Sequence, residues 1–324
     1  ETRHHRSITP KYGQVKRWGL QAVRSAAMMR RSTTAPGRPL NTGIHMTFDD
    51  IIAPGTQPDV LGESYGFCEG PAADSRGNIY FSDGEHDSVH YYEVGKPVTR
   101  FVDDSTDANG MMFNARGELC VCEGAAHRIV AIHVKTREKR VLVDRIDGTP
   151  FNEPNDLAVD RQGGFYFSDP NYQHRGQPTV MKQDTYYCSA EGRVARVSTV
   201  CFKPNGVLLS ADEGTLYVAD ARGQRIFRYK VLGPGRLAEE TLWIDRLGAN
   251  PDGLTLDEHD NLYICLGKSG MKIFSPEATL LGAIDMPYAS NTCFGGPDFQ
   301  TLFITSDDKF LGIRTQVVGL KPLC

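Results

Sequence analysis

Apolar and polar positions alternate along the chain in short runs, and one unit built from two such runs recurs. From Asn205, NGVLLSADEGTLYVAD opens on a polar residue and glycine, alternates through apolar positions, breaks at an Asp-Glu-Gly turn and resumes as a second apolar run. This is the signature of a β-hairpin. The same unit begins at Glu69, Asn109, Asn155 and Asp252, with a degenerate sixth copy, FGGPDFQTLFITS, starting near Phe294. The starts are separated by 40, 46, 50, 47 and about 42 residues, the period of a four-stranded propeller blade. The pattern predicts an all-β, six-bladed propeller over residues 46–324. A terminal strand usually closes such a ring, and QPDVLG ahead of Glu69 is placed to complete the last sheet and remove its open edge.

In register, the first positions read Glu69, Asn109, Asn155, Asn205 and Asp252, followed by an apolar or glycine position near Phe294. Innermost strands run beside the central channel, so equivalent residues of successive blades converge on the axis. Two carboxylates and several amide oxygens make a hard donor set without Cys or His. Such a set suits calcium first, or magnesium or manganese, over a soft metal, and the expectation is one divalent cation in the channel; zinc is kept among the cations to test. A plainer alternative takes Asn-Gly and Asp-Gly as turn signals that lead into a strand and need no ligand. The endings Ser82-Asp83, Ser168-Asp169, Ala219-Asp220 and Thr305-Ser306 close equivalent second strands and are read as partners for turn backbone groups.

Composition narrows the function. No apolar run among the 324 residues approaches the length of a membrane span. The net charge of −4 conceals a division, because residues 1–40 hold nine Lys or Arg against one acid, leaving about −12 for the rest. An acidic propeller is a poor nucleic-acid binder, and a cation with small neutral or weakly charged ligands fits it better. The eight cysteines follow no metal or disulfide spacing and read as reduced core residues. That favours a reducing, cytoplasmic setting, with export or a periplasmic location as the alternative, and a monomer or homodimer. Residues 1–45 are basic and rich in Ser, Thr and Arg. They read as a flexible or transit-like arm, or as an over-extended start, since Met46 directly precedes TFDDIIAPG. Within that arm, residues 14–30 have loose helical spacing.

Between Pro170 and Met181 lies NYQHRGQPTV, a polar insertion following an inner hairpin. Loops on rigid scaffolds carry specificity, which makes Tyr172 and His174 candidate substrate contacts.

At Glu69-Gly70-Pro71, Pro154-Asn155-Asp156, Pro204-Asn205-Gly206 and Pro251-Asp252-Gly253 the chain resembles the family of gluconolactonases, senescence marker protein (regucalcin) and luciferin-regenerating enzyme, and more distantly diisopropyl fluorophosphatase. SNTCFGG around Asn291 is similar to bacterial gluconolactonases. The resemblance, over roughly residues 50–320, implies a six-bladed propeller with one divalent metal in its channel, held by Glu69, Asn155, Asn205 and Asp252. It leaves Asn109 as a substrate contact or a support behind the ligands. In animal members a sugar-contacting arginine lies two residues before the third-blade Asn. Here Glu153 occupies that place, so it is a candidate substrate contact at an altered position.

The activity implied is hydrolysis of a sugar lactone. The metal polarises the carbonyl and activates water, and Asp252 takes the proton or, alternatively, attacks directly. The competing readings are a phosphotriesterase-like hydrolase using the same ion and a non-catalytic calcium-binding propeller.

Overall fold

The computed structural model describes residues 46–173 and 179–323. The basic arm and its candidate helix lie outside the described residues. Six four-stranded antiparallel sheets follow one another along the chain. The first comprises Cys68–Ala73, Ile79–Asp83, Ser88–Tyr92 and Thr99–Asp103. The next four open with inner strands Ala108–Phe113, Leu157–Val159, Pro204–Leu209 and Leu254–Leu256. The sixth contains Asn291–Gly295, Thr301–Ser306 and Lys309–Arg314, and Asp59–Glu63 pairs antiparallel with the last of these as its outermost strand. The predicted ring and its closure by QPDVLG are therefore present.

The inner hairpins of the first, second, third and fifth blades turn on a side chain that stands in for a backbone acceptor. Asp74 Oδ1 accepts from the amides of Arg76 and Asn78, each at 2.9 Å. Asn114 and Asp257 repeat this arrangement in the second and fifth blades. A residue in the left-handed region then completes the turn, Gly77 at φ 81° in the first blade and Asp260 at φ 59° in the fifth. This is the turn chemistry that the Asp-x-x-Gly pattern encodes.

The core is divided among the blade interfaces. Strands buried on both faces send apolar side chains into six clusters. One joins Tyr80 and Val89 of the first blade to Met111 and Val121 of the second, and another joins Phe81 of the first blade to Phe303 and Phe310 of the sixth. The one-turn helix Phe48–Ile51 adds Ile51 to the cluster between the fifth and sixth blades. Among the described residues seven cysteines are free and six of those are buried, in keeping with their reading as core residues. No helix among the described residues is long and apolar enough to cross a membrane.

One expectation is corrected. The sixth copy begins at Asn291, three residues before Phe294, because the inner strand is Asn291–Gly295 and pairs Asn291 with Thr305. Phe294 is buried against Tyr263 in the core. The ring of first positions therefore has a sixth polar member.

Candidate active site

Inner strands deliver their first residues to the axis through local irregularities. The ladder shifts register between Glu69 and Ala72, between Ala108 and Met111, and between Pro204 and Val207. A bulge of this kind re-aims a side chain, here Glu69, Asn109 and Asn205. The following glycine has a separate task. A Cβ on Gly70 would lie 2.1 Å from the carbonyl oxygen of Asn109, on Gly206 2.3 Å from that of Asp252, and on Gly253 2.1 Å from the Asn291 side chain. Glycine is present because the next blade's first residue sits directly against it, so the turn-signal reading of Asn-Gly and Asp-Gly gives way to close packing around the axis. In the third blade Asp156 takes this place, and its buried carboxylate accepts from the amides of Leu157 (2.9 Å) and Val207 (3.1 Å). Burial pushes Asp156 up to about 6.

The ends of second strands hold the approach to three first residues, Glu69, Asn155 and Asn205. Asp83 accepts from the amides of Gly66 and Phe67 at 3.1 and 3.2 Å, Asp169 from Asn152 at 2.9 Å, and Asp220 from Lys203 at 3.0 Å. These endings satisfy backbone groups, as read from the sequence.

Glu69, Asn109, Asn155, Asn205 and Asp252 line one cleft of about 640 Å³, together with Tyr172, Lys203 and Tyr288. Glu69, Asn155 and Asn205 are buried at its floor. Glu69 accepts from the Gly70 amide at 3.0 Å. Its carboxyl is pushed well above the usual range by burial, then by the charge of Asp252, while the Asn291 side chain works the other way. A buried carboxylate facing a half-buried one is the electrostatic deficit that a cation between them removes. With two carboxylates and two neutral amides as an all-oxygen set, the floor fits a hard divalent ion.

The predicted loop residues divide. The Tyr172 hydroxyl accepts from Asn205 Nδ2 at 2.8 Å, which engages the amide nitrogen and leaves Oδ1 as the atom able to coordinate. Burial first, then Asp252, pushes the Tyr172 phenol well up, so it stays protonated. Glu153 does not line the cleft. Its carboxylate accepts from the amides of Tyr172 and Gln173 at 2.5 and 3.1 Å, fixing the loop that carries Tyr172. His174 lies outside the described residues.

Sequence reasoning passed over Lys203, whose Nζ donates to the Asn171 carbonyl at 2.9 Å and stands 4.2 Å from the centroid of the Tyr172 ring. The signal was available, because Lys203 precedes Asn205 by two residues as Glu153 precedes Asn155. Asn291 was also missed as a first position.

Comparison with known proteins identifies the family. The family described as the SMP-30/Gluconolactonase/LRE-like region matches residues 67–308. A gluconolactonase of Zymomonas mobilis is 29% identical over 307 residues, covering 84% of this chain and 85% of its own. The solved structure of a gluconolactonase from Xanthomonas campestris superposes with a TM-score of 0.76 at 26% identity, over 83% of this chain and 92% of that one. A calcium-binding protein, regucalcin, from Agrobacterium tumefaciens superposes with a TM-score of 0.71 at 15% identity, over 82% and 96%, a likeness of fold.

Proposed function

The chain belongs to the SMP-30/gluconolactonase/LRE-like family, and from that premise we propose that it hydrolyses a sugar lactone with the help of one divalent cation, calcium first among the choices. The observation that carries this reading is the convergence of Glu69, Asn155, Asn205 and Asp252 on the floor of one cleft, in a chain whose relatives include gluconolactonases. Those four residues would hold the ion, and when bound it supplies Lewis acidity that polarises the lactone carbonyl.

The chain's own groups do the rest. Asp252 is less buried than Glu69 and faces the cleft, where it takes a proton from the attacking water. The water oxygen bonds to the carbonyl carbon, the ring ester C–O bond breaks, and the departing alkoxide recovers the proton from Asp252. Glu69, which accepts from the Gly70 amide, would serve as a ligand to the ion rather than as the base. Tyr172 orients Asn205 and presents a protonated phenol, and Asn109 offers an amide to substrate hydroxyls. Glu153 acts on substrate through the loop it anchors. We assign the activity to residues 46–324.

The test is hydrolysis of glucono-1,5-lactone by chelator-treated full-length protein, with calcium, magnesium, manganese and zinc returned separately. Activity lost on chelation and restored by one cation is the expected result. Full activity after complete removal of metal would overturn the metal's role, and no hydrolysis of any lactone would overturn the lactonase reading.

A further inference from the structure

The charge of the cleft opposes the charge of the molecule around it. Beyond residue 40 the chain carries about −12, yet three cationic side chains, Lys203, Arg222 and Lys268, line the cleft against two carboxylates, Glu69 and Asp252. The carboxylates belong to the floor. A divalent cation held there matches their charge, and the charges that remain in the cleft are then all positive. Lys203 is partly buried and fixed by the Asn171 carbonyl and the Tyr172 ring, whereas Arg222 and Lys268 are exposed. Neither Arg222 nor Lys268 has an ion-pair partner among the described residues. Cations gathered at a concave mouth focus the field on an entering ligand and select its sign.

Resting on the lactonase reading of the same cleft, we propose that the preferred lactone carries a separate anionic group, a carboxylate or a phosphate, received by Lys203, Arg222 and Lys268 while the lactone carbonyl lies over the floor. Overall composition points to small neutral or weakly charged ligands, whereas the charges of the cleft itself point to an anionic one. Three contacts of the size measured for exposed charge pairs amount together to about tenfold.

The experiment compares kcat/KM of the full chain for matched lactones. 6-Phosphoglucono-1,5-lactone is set against glucono-1,5-lactone, and glucaro-1,4-lactone against glucono-1,4-lactone. At least one anionic lactone should exceed its neutral partner by about tenfold. The ratio should fall toward one in Arg222→Gln/Lys268→Gln, and shrink at high salt. Whichever anion wins identifies the group as phosphate or carboxylate. Neutral lactones that match or exceed both anionic ones, or a preference left undiminished by the double substitution, would overturn the proposal. If no lactone is hydrolysed, the lactonase reading fails, and calorimetric binding of glucarate against gluconate decides the anion site. Tighter glucarate binding lost in the double variant upholds it, and equal binding overturns it.

Discussion

At one end of the channel the inner strands present Glu69, Asn109, Asn155, Asn205 and Asp252. Farther along, the same strands present Ala73, Met111, Phe113, Leu209, Leu254 and Phe294 around a second cavity of about 610 Å³. The C-terminal tail reaches that second end. The Leu320 amide donates to the Leu256 carbonyl at 3.0 Å, and Leu320 and Leu323 join its lining. A step of two to four residues along one strand separates the groups that line the cleft from those that pack the far end. Gly70, Gly206 and Gly253, each directly after a cleft-lining residue, stand between the two ends.

That division can be broken or sharpened by substitution. The largest effect belongs to Asp252→Asn, which should lower kcat/KM by about a thousandfold while thermal unfolding stays near that of the parent; retained activity would remove Asp252 from the mechanism. At the far end, Phe294→Ala empties a fully buried site between Tyr263 and the tail at Gly319. It should cost about 3–5 kcal/mol in chemical denaturation without changing kcat/KM at temperatures where the variant is folded. A parallel loss of turnover in folded protein would show that the ends are coupled. Gly253→Ala, at the junction, should damage both properties, because its new Cβ meets Asn291 at 2.1 Å. The expected stability loss is about 1–3 kcal/mol, with reduced activity, and a variant that kept either property would place the glycine wholly on one side. The smallest effect is expected of Tyr172→Phe, which removes one hydrogen bond to Asn205. It should lower kcat/KM about fivefold, in line with about 1 kcal/mol, and leave the melting temperature unchanged.

The division explains what the chain disclosed before its structure was known. Five of the six first positions were legible because each precedes the same apolar alternation and a turn built on Asp, Asn or Ser. In the sixth copy Gly296 stands where Asp74, Asn114, Asp160 and Asp257 accept turn amides. Without that marker the unit was read three residues late, and an apolar-end residue was taken for a cleft-end one. Lys203 escaped for another reason. Its place in the cleft depends on Asn171 and Tyr172, which meet Glu153 on one side and Lys203 of the fourth blade on the other. Contacts between a loop and a neighbouring blade have no sequence period. Glu153 was read as a candidate substrate contact from its place two residues before Asn155, and that place cannot tell a side chain that faces a ligand from one that faces its own loop.

The strand that closes the ring also orders events in time. Asp59 pairs with Gly312, so the sixth sheet joins residues about 250 positions apart, and contacts of that span form slowly. During synthesis, Asp59–Glu63 leaves the ribosome early and must wait for Lys309–Arg314. Five blades can stack as they emerge, and only the last stretch of the domain turns an open stack with two exposed edges into a ring.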